Sequence, residues 1–388
     1  MGALKLPERE GLRALARILG GTDGETRLVG GAVRDTLAGE PVKDIDLATR
    51  LAPEEVLARL EKARIKAVPT GIAHGTITAV LSSGPVEVTT LRRDVSTDGR
   101  RATIAYTDDW REDAARRDFT INALYADPET GELFDYFGGE GDLEAGLVRF
   151  IGEPLRRIAE DHLRILRFFR FHARFGKGAP NPASLEACAA RANDLMALSR
   201  ERIADELLKL LALPQPAETV RLMLDHGIFA PVLPEISSTD GLAALAAIED
   251  APDPVRRLAS LLPADPDKAG AAAKRLKLSK AATKRLVLAA GREPADAAAP
   301  RALAYRIGLE GAADRLMLGG HAEALEALKG WSVPVFPLSG GEIVARGIKA
   351  GPDVARLLQQ AEAQWVAEGF PAQPRAQQIA DEIVRAPA

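Results

Sequence analysis

The chain has 388 residues, 46% of them hydrophobic, and a formal net charge of −4. That length and apolar content predict two to four packed units and exclude a disordered chain. The acidic balance excludes a wholly basic nucleic-acid coat, although local basic patches can still bind RNA. The single cysteine, Cys188, excludes an intramolecular disulfide and a cysteine-rich zinc site. No apolar run approaches membrane-spanning length, so we expect a soluble, cytoplasmic protein.

The first candidate for a functional element is a glycine turn. The apolar residues Leu28 and Val29 are followed by the pair Gly30 and Gly31. Adjacent glycines let the backbone turn tightly and approach a polyphosphate closely, and the exposed amides of such a turn bind anions. Residues 32–37 then read as the first turns of a helix, which would hold the guanidinium of Arg34 near the same phosphates.

A pair of aspartates follows the glycine turn. The alternation in Lys43–Leu47 predicts a strand with Asp44 and Asp46 on one face, their Cα atoms roughly 6.6 to 6.8 Å apart. Two unpaired carboxylates that close repel each other, and Mg²⁺ relieves the repulsion because it prefers one or two carboxylates plus substrate phosphates. An isolated Asp-x-Asp is more often a solvated turn, but the glycine turn upstream favours a metal site. A second alternating run, residues 86–92, can bring Glu87 beside the pair as a third carboxylate.

The segment RRDFTINAL begins at Arg116. Its two arginines, Arg116 and Arg117, suit a triphosphate or an RNA end. Asp118 can accept a hydrogen bond from a ribose hydroxyl, or it can cap a helix while the arginines are merely solvated. Both interpretations of Asp118 stay open from the sequence.

The segment EDHLR begins at Glu160. Read as part of one helix, it lets Asp161 and Arg164 address a single small target, while Arg167 and Arg170 lie further round the axis. An acceptor beside a donor fork can read the amino group and ring acceptor of cytosine or adenine, whereas uracil and guanine present a carbonyl there. The alternative is an ordinary ion pair on a helix surface.

These motifs, in this order, resemble the class II tRNA nucleotidyltransferase and bacterial poly(A) polymerase family. The resemblance implies an α+β fold, in which a small N-terminal nucleotidyltransferase-type head with a mixed β-sheet precedes an all-helical neck, body and tail. We expect the head at 1–139, a neck with a nucleotide-selecting helix at 140–213, and a tRNA-binding body and tail at 214–388. The stretch from Ser339 weakly resembles the last helical segment of the family.

The resemblance also implies an activity, which is addition of CCA to the 3′ end of tRNA from CTP and ATP without a template. Asp44 and Asp46, with Glu87 as a candidate third ligand, would hold two Mg²⁺ ions for a two-metal attack of the 3′-hydroxyl on the α-phosphorus. Arg117, Arg167 and Arg170 are implied as nucleotide contacts. The expected partners are the tRNA acceptor end, CTP and ATP, with no membrane and no obligate protein partner.

Two segments bear on which family member this is. His74-Gly75-Thr76 resembles the HGT stretch of CCA-adding enzymes, where poly(A) polymerases carry a different pattern. Residues 93–112 match the position of the flexible loop that family members need to switch from C to A, although an ordinary hairpin is the alternative. A poly(A) polymerase, a partial CC- or A-adding enzyme, and a non-catalytic RNA-binding protein remain as alternatives.

Two basic runs are candidates for RNA contact. A predicted helix over 149–177 carries eight basic and three acidic residues. A second run contains Lys274, Arg275, Lys277 and Lys284 with no acidic residue between them. We expect the first to line the acceptor end and the second to contact phosphates further along the tRNA. For the second run, a solvated helix face is an equal alternative.

Overall fold

The computed structural model of the chain describes residues 4–98 and 101–385, without the side chains of 94–98 and 101–103. The chain divides into two compact units, Met1–Pro234 and Glu235–Ala388. All of the strands that the described residues form lie in the first unit, and the second unit is helical. This confirms the α+β class and the order of a sheet-bearing head followed by helices.

The first unit is built on a seven-stranded mixed sheet with the strand order β3-β4-β5-β2-β1-β8-β9. Its central strands β2 and β5 are parallel, and the other neighbours are antiparallel. A separate antiparallel hairpin is formed by β6 and β7. The strands are β1 (Thr26–Val29), β2 (Asp46–Thr49), β3 (Lys66–Gly71), β4 (Thr76–Leu81), β5 (Gly84–Thr90), β6 (Arg92–Asp98), β7 (Arg101–Tyr106), β8 (Leu124–Ala126) and β9 (Leu133–Asp135).

Some helices of the first unit pack on this sheet, and others follow its last strand in the chain. They are α1 (Leu12–Ile18), α2 (Gly31–Leu37), α3 (Pro53–Lys62), α4 (Trp110–Ala115), α5 (Gly139–Ala145), α6 (Pro154–Glu160), α7 (Arg164–Phe175), α8 (Pro182–Ala190), α9 (Arg200–Leu211) and α10 (Ala217–Asp225). Short 3-10 helices lie at Gly21–Asp23, Ile72–His74, Thr120–Asn122 and Ala192–Ala197.

The second unit consists of helices, and its apolar clusters include one that contains Trp365 and one that contains Leu303 and Leu316. Its helices are α11 (Asp240–Ala246), α12 (Pro254–Leu261), α13 (Pro266–Arg275), α14 (Lys280–Ala290), α15 (Pro300–Ile307), α16 (Leu309–Leu318), α17 (Gly340–Val344), α18 (Pro352–Ala367) and α19 (Gln373–Arg385), with 3-10 helices at Pro294–Ala298 and Ala322–Leu328. No helix in the described part of the chain is long and apolar enough to cross a membrane.

The period of two in the strands decides which residues reach the site. Leu28 and Leu47 lie in the cluster that packs against α1, α2 and α3. Val29 and Ala48 point to the opposite face, where they meet Trp110. Asp46 is paired with Val29 in the sheet and therefore shares this second face.

The strand expected at Lys43–Leu47 is shorter than predicted, because β2 begins only at Asp46. Its partner β1 ends at Val29, which pairs with Asp46. The chain then turns at Gly30, whose φ of 65° and ψ of −119° leave the strand region. Asp44 consequently has no β1 residue opposite it and lies in the exposed segment before β2.

The single helix expected over 149–177 is wrong. The structure has two helices, α6 and α7, separated at Asp161, where the backbone is extended with a φ of −152° and a ψ of 107°. The Asp161 carboxylate accepts a hydrogen bond from the amide of Leu163 at 3.1 Å. A short side chain that bonds to nearby backbone in this way competes with helical hydrogen bonding, which favours the break between the two helices.

Candidate active site

A cleft of about 420 Å³ opens in the first unit, a size that suits a small-molecule ligand. All nine residues predicted to contact the nucleotide line it, together with Asp46, whereas Asp44 and Glu87 are not among its lining residues. The lining residues are Gly30, Gly31, Arg34, Asp46, Arg116, Arg117, Asp118, Asn122, Asp161, Arg164, Arg167, Arg170 and Phe171.

The glycine turn forms one wall of the cleft. A Cβ at Gly30 would lie 3.4 Å from Nη1 of Arg117, and the positive φ at this position also favours glycine. Arg34 follows on α2 but is only 6% exposed. Its guanidinium donates to Asp35 at 2.8 Å and to the side-chain oxygen of Asn122. Burial lowers the pKa of Arg34, although the adjacent Asp35 favours the charged form.

The carboxylates come together across the two parallel strands. Asp46 on β2 lies directly opposite Glu87 on β5, which confirms the predicted placement of Glu87 beside Asp46. Burial, Glu87 and Asp44 raise the pKa of Asp46 to about 6, against the opposing effect of Arg117. This local excess of negative charge is what a bound divalent cation would relieve.

The described residues contain no group of three or more His, Cys, Asp or Glu side chains that would hold a metal ion unaided. A site with one or two carboxylates is nevertheless the kind that Mg²⁺ uses when substrate phosphates complete its coordination. The donor set at Asp46 and its neighbours therefore fits a magnesium ion that arrives with a nucleotide.

Asp118 sits at the base of the cleft and is 8% exposed. It accepts hydrogen bonds from the amide of Phe119, from the side chain of Asn122 and from Arg167, at 2.9, 2.9 and 2.7 Å. Burial would raise the pKa of Asp118, but Arg167 and these hydrogen bonds outweigh it and lower the pKa to about 2. Asp118 is thus an ionised carboxylate that ties α7 to the RRD segment.

Because the pKa of Asp118 is depressed, we expect this carboxylate to stabilise the fold in a pH-dependent way. Its contribution is fully present above the unfolded-state pKa of 3.8 and is lost as the pH falls towards about 2. At pH 5 we expect Asp118→Asn to be about 2 kcal/mol less stable than the parent chain, with the difference vanishing near pH 2. Urea unfolding of both proteins at a series of pH values measures this, and a pH-independent difference would contradict it.

Asp161 and Arg164 both line the cleft, although they do not share a helix as expected. The carboxylate of Asp161 accepts from Arg202 at 2.8 Å as well as from the backbone. Arg164 opens α7 and donates to Glu160 at 2.6 Å and to the carbonyl of Arg116 at 3.1 Å. Each is held by a different partner, so the simple ion pair between them does not form.

The remaining α7 residues reach the same cleft. Arg167 and Arg170, which the family resemblance implied as nucleotide contacts, both line it with Phe171. Glu206 is 4% exposed and accepts from Arg170 at 2.6 Å. Phe171 and Asn122 also line the cleft but were not predicted from the sequence. The four-residue spacing of Phe171 from Arg167 gave a signal for the first, because such positions share a helix face, whereas Asn122 is bonded to the nearby Asp118 and to Arg34, which is distant in sequence.

The two segments that separate family members have defined local structure. The HGT stretch ends a 3-10 helix, and Gly75 has a φ of 73°. The expected loop at 93–112 forms the β6–β7 hairpin and the start of α4. Residues 99 and 100 lie outside the described residues. The described part of this segment thus forms paired strands, and its role in switching from C to A stays a prediction.

The second basic run is less basic than its sequence indicates. Arg275 donates two hydrogen bonds to Glu235, at 2.7 and 2.8 Å. Lys274, Lys277 and Lys284 are exposed. Arg275 is therefore partly neutralised, and the exposed lysines remain the candidates for contact with phosphates.

Residues 26–149 match a family described as "Poly A polymerase head domain", and residues 179–239 match one described as "Probable RNA and SrmB- binding site of polymerase A". The fold and the cleft thus define a nucleotidyltransferase.

Similarity to individual proteins identifies the family within this class. The chain is 38% identical over 394 residues to "CCA tRNA nucleotidyltransferase 1, mitochondrial" of Mus musculus, covering 93% of this chain and 87% of that protein. The Homo sapiens protein of that name is 37% identical over the same shares. The chain therefore belongs to the CCA tRNA nucleotidyltransferase family. Its fold is similar to the CCA-adding enzyme of Bacillus stearothermophilus in complex with CTP, with a TM-score of 0.77, 25% identity, and coverage of 97% of this chain and 98% of that one.

Proposed function

We propose that the chain adds CCA to the 3′ end of tRNA, using CTP and ATP and no nucleic-acid template. The observation that carries the proposal is one cleft that combines Asp46 with the base-reading candidates Asp161 and Arg164. Membership of the CCA tRNA nucleotidyltransferase family supports the same activity.

The proposed chemistry assigns separate tasks to the two sides of the cleft. Asp44 and Asp46, with Glu87 as a candidate third ligand, would hold magnesium. When bound, magnesium lowers the pKa of the primer 3′-hydroxyl and neutralises charge on the triphosphate. Arg117 and the glycine turn would orient the triphosphate for in-line attack at the α-phosphorus. Pyrophosphate leaves, so the chain needs no covalent intermediate.

Nucleotide selection would fall to Asp161 and Arg164. The carboxylate accepts from the exocyclic amino group that cytosine and adenine share, and the guanidinium donates to a ring acceptor. Arg202 and the amide of Leu163 fix the carboxylate before the nucleotide arrives, which lowers the entropy cost of recognition. Arg167, Arg170, Arg34 and Asp118 complete the proposed nucleotide contacts.

The main alternative is a poly(A) polymerase, which shares this chemistry. Incubation with a tRNA transcript and with an unrelated RNA, each with ATP and CTP, separates the two. Extension of the tRNA alone supports CCA addition, and long A tails on both RNAs would overturn it. Absence of any extension would favour a non-catalytic RNA-binding protein.

The exposed lysines of the second unit are proposed to contact tRNA phosphates. Lys274→Glu combined with Lys284→Glu should weaken tRNA binding about tenfold or more at low salt and flatten its salt dependence. Binding to the wild type and the double variant at several salt concentrations measures both effects. The control is Lys209→Glu in the first unit, which replaces an exposed lysine paired only locally with Asp205. If the double variant kept the wild-type tRNA affinity and salt dependence, these lysines would be solvated residues without a role in tRNA binding.

The proposed division of the chain remains a head at 1–139, a neck at 140–213, and a body and tail at 214–388. We also propose the cytoplasm as the compartment, supported by the single buried thiol of Cys188, which suits a reducing environment. The mouse and human relatives are named mitochondrial, so an organelle is the alternative. Fractionation of native cells decides between them.

A further inference from the structure

We propose that Asp113 is a positioning residue that holds Arg116 and Arg117 at the cleft and ties both to the start of the β6–β7 hairpin, thereby setting affinity for the triphosphate of the incoming nucleotide. The inference rests on the proposed function, because it concerns a triphosphate in that cleft. Asp113 itself is not among the lining residues of the cleft.

The contacts of Asp113 converge on one buried carboxylate. It lies on α4 and is 1% exposed. One oxygen accepts from Nη2 and Nε of Arg116 at 2.7 and 2.9 Å and from the amide of Arg92 at 3.2 Å. The other accepts from Nη2 of Arg117 at 3.1 Å and from the hydroxyl of Tyr125 at 2.7 Å. A buried carboxylate needs such partners to remain ionised.

The charge of Asp113 is preserved by the two arginines. Burial would raise the pKa of this carboxyl, but Arg117 and Arg116 outweigh burial and hold the pKa well below its usual range. A carboxylate so enclosed has no direct route to a substrate. Its influence on the cleft therefore passes through the side chains that donate to it.

Arg117 is the main route of that influence. Besides Asp113, it contacts the hydroxyl of Tyr125 at 3.2 Å, and its Nη1 approaches Gly30 closely. Tyr125 pairs with Val29, and Val29 pairs in turn with Asp46. The guanidinium is thus fixed between the glycine turn and the row of residues that carries the metal candidate. Without the Asp113 carboxylate, the Arg117 guanidinium would no longer be held beside the proposed triphosphate position.

The Asp113 carboxylate also binds the start of the β6–β7 hairpin. Arg92 is the first residue of β6, and its amide donates to the same oxygen that holds Arg116. The base of the hairpin and the arginine pair therefore have one common acceptor. A displacement of this strand start would disturb the arginines without any contact between the hairpin turn and the nucleotide.

Calorimetric titration of the full chain with CTP and, separately, with ATP in magnesium tests the proposal. We expect Asp113→Asn to weaken both nucleotides by the same factor, about tenfold, because the triphosphate is common to them. In steady-state assays KM should rise more than kcat falls. The matched control is Asp296→Asn, which removes another buried carboxylate paired with an arginine, Arg315, in the second unit. This control should lose stability but keep its nucleotide affinity.

Unchanged affinity in folded Asp113→Asn, or loss for one nucleotide only, would overturn the inference while leaving the proposed function intact. Failure of the wild-type chain to bind either nucleotide would instead overturn the proposed function and the inference with it. If Asp113→Asn does not fold, Tyr125→Phe replaces it, since it removes one donor to Asp113 and one acceptor of Arg117. About threefold weaker binding is then expected, and wild-type affinity would overturn the inference.

Discussion

Asp46→Asn should reduce nucleotide addition by about 10³-fold or more while leaving the fold intact. Asp46 is the proposed metal-binding carboxylate that lines the cleft, and it faces Glu87 across the parallel strands. Burial and the neighbouring carboxylates disfavour its ionised form. Without magnesium, the neutral amide should therefore leave stability unchanged or higher. Extension assays and thermal unfolding in a chelator measure the two effects.

Asp23→Asn is the matched control for this experiment. Asp23 is an exposed aspartate that precedes β1, at the opposite end of that strand from Gly30. It should retain full activity. Glu87→Gln then reports on the third carboxylate, since a metal ligand there would also lower activity. A folded Asp46→Asn variant that still extends RNA at the wild-type rate would contradict the assignment of Asp46.

Asp161→Asn should relax nucleotide selection. The carboxylate is fixed by Arg202 and by the amide of Leu163, and it offers only acceptors to the base edge. An amide adds donors, which can face the carbonyl of uracil. We expect the preference for CTP over UTP in kcat/KM to fall about 10- to 100-fold, since one such pair is worth about 1 to 3 kcal/mol. Competition between the two nucleotides on one tRNA measures this ratio.

A control for Asp161 lies one turn from Arg202 on α9. Asp205 is exposed and pairs only locally with Lys209 at 2.7 Å. Asp205→Asn should keep the wild-type selectivity. If Asp161→Asn lost activity on every nucleotide in equal proportion and kept its selectivity, the carboxylate would be a structural anchor for α7, and base reading would have to lie elsewhere.

The glycine turn, α2 and the pairing of Asp46 with Glu87 were predictable from the sequence. They depend on local rules, namely the freedom of adjacent glycines and the period of two in strands. The break at Asp161 was not, because no proline or glycine interrupts residues 155–175 and the helical pattern reads as continuous. The competing hydrogen bond of the Asp161 carboxylate becomes visible only in the folded chain.

Contacts between residues far apart in the sequence were the other features that the sequence did not predict. Arg275 looks like one charge in a basic run, yet Glu235 lies 40 residues away in sequence and neutralises it. The ion pairs of Asp113 with Arg116 and Arg117 follow from helical spacing, but the burial of this carboxylate and its hydrogen bond from Tyr125 are visible only in the fold. Residue types and spacing predicted which side chains line the cleft. They did not predict what holds those side chains in place.

The most direct test of the account is extension of a tRNA transcript that ends at the discriminator base. The purified chain is supplied with magnesium and with CTP, ATP or both, and the products are sized on a gel and sequenced. We expect two cytidines with CTP alone, and C, C and A with both nucleotides. A stop after two cytidines in the presence of ATP would reduce the activity to CC addition. Long A tails, or no extension at all, would contradict CCA addition altogether.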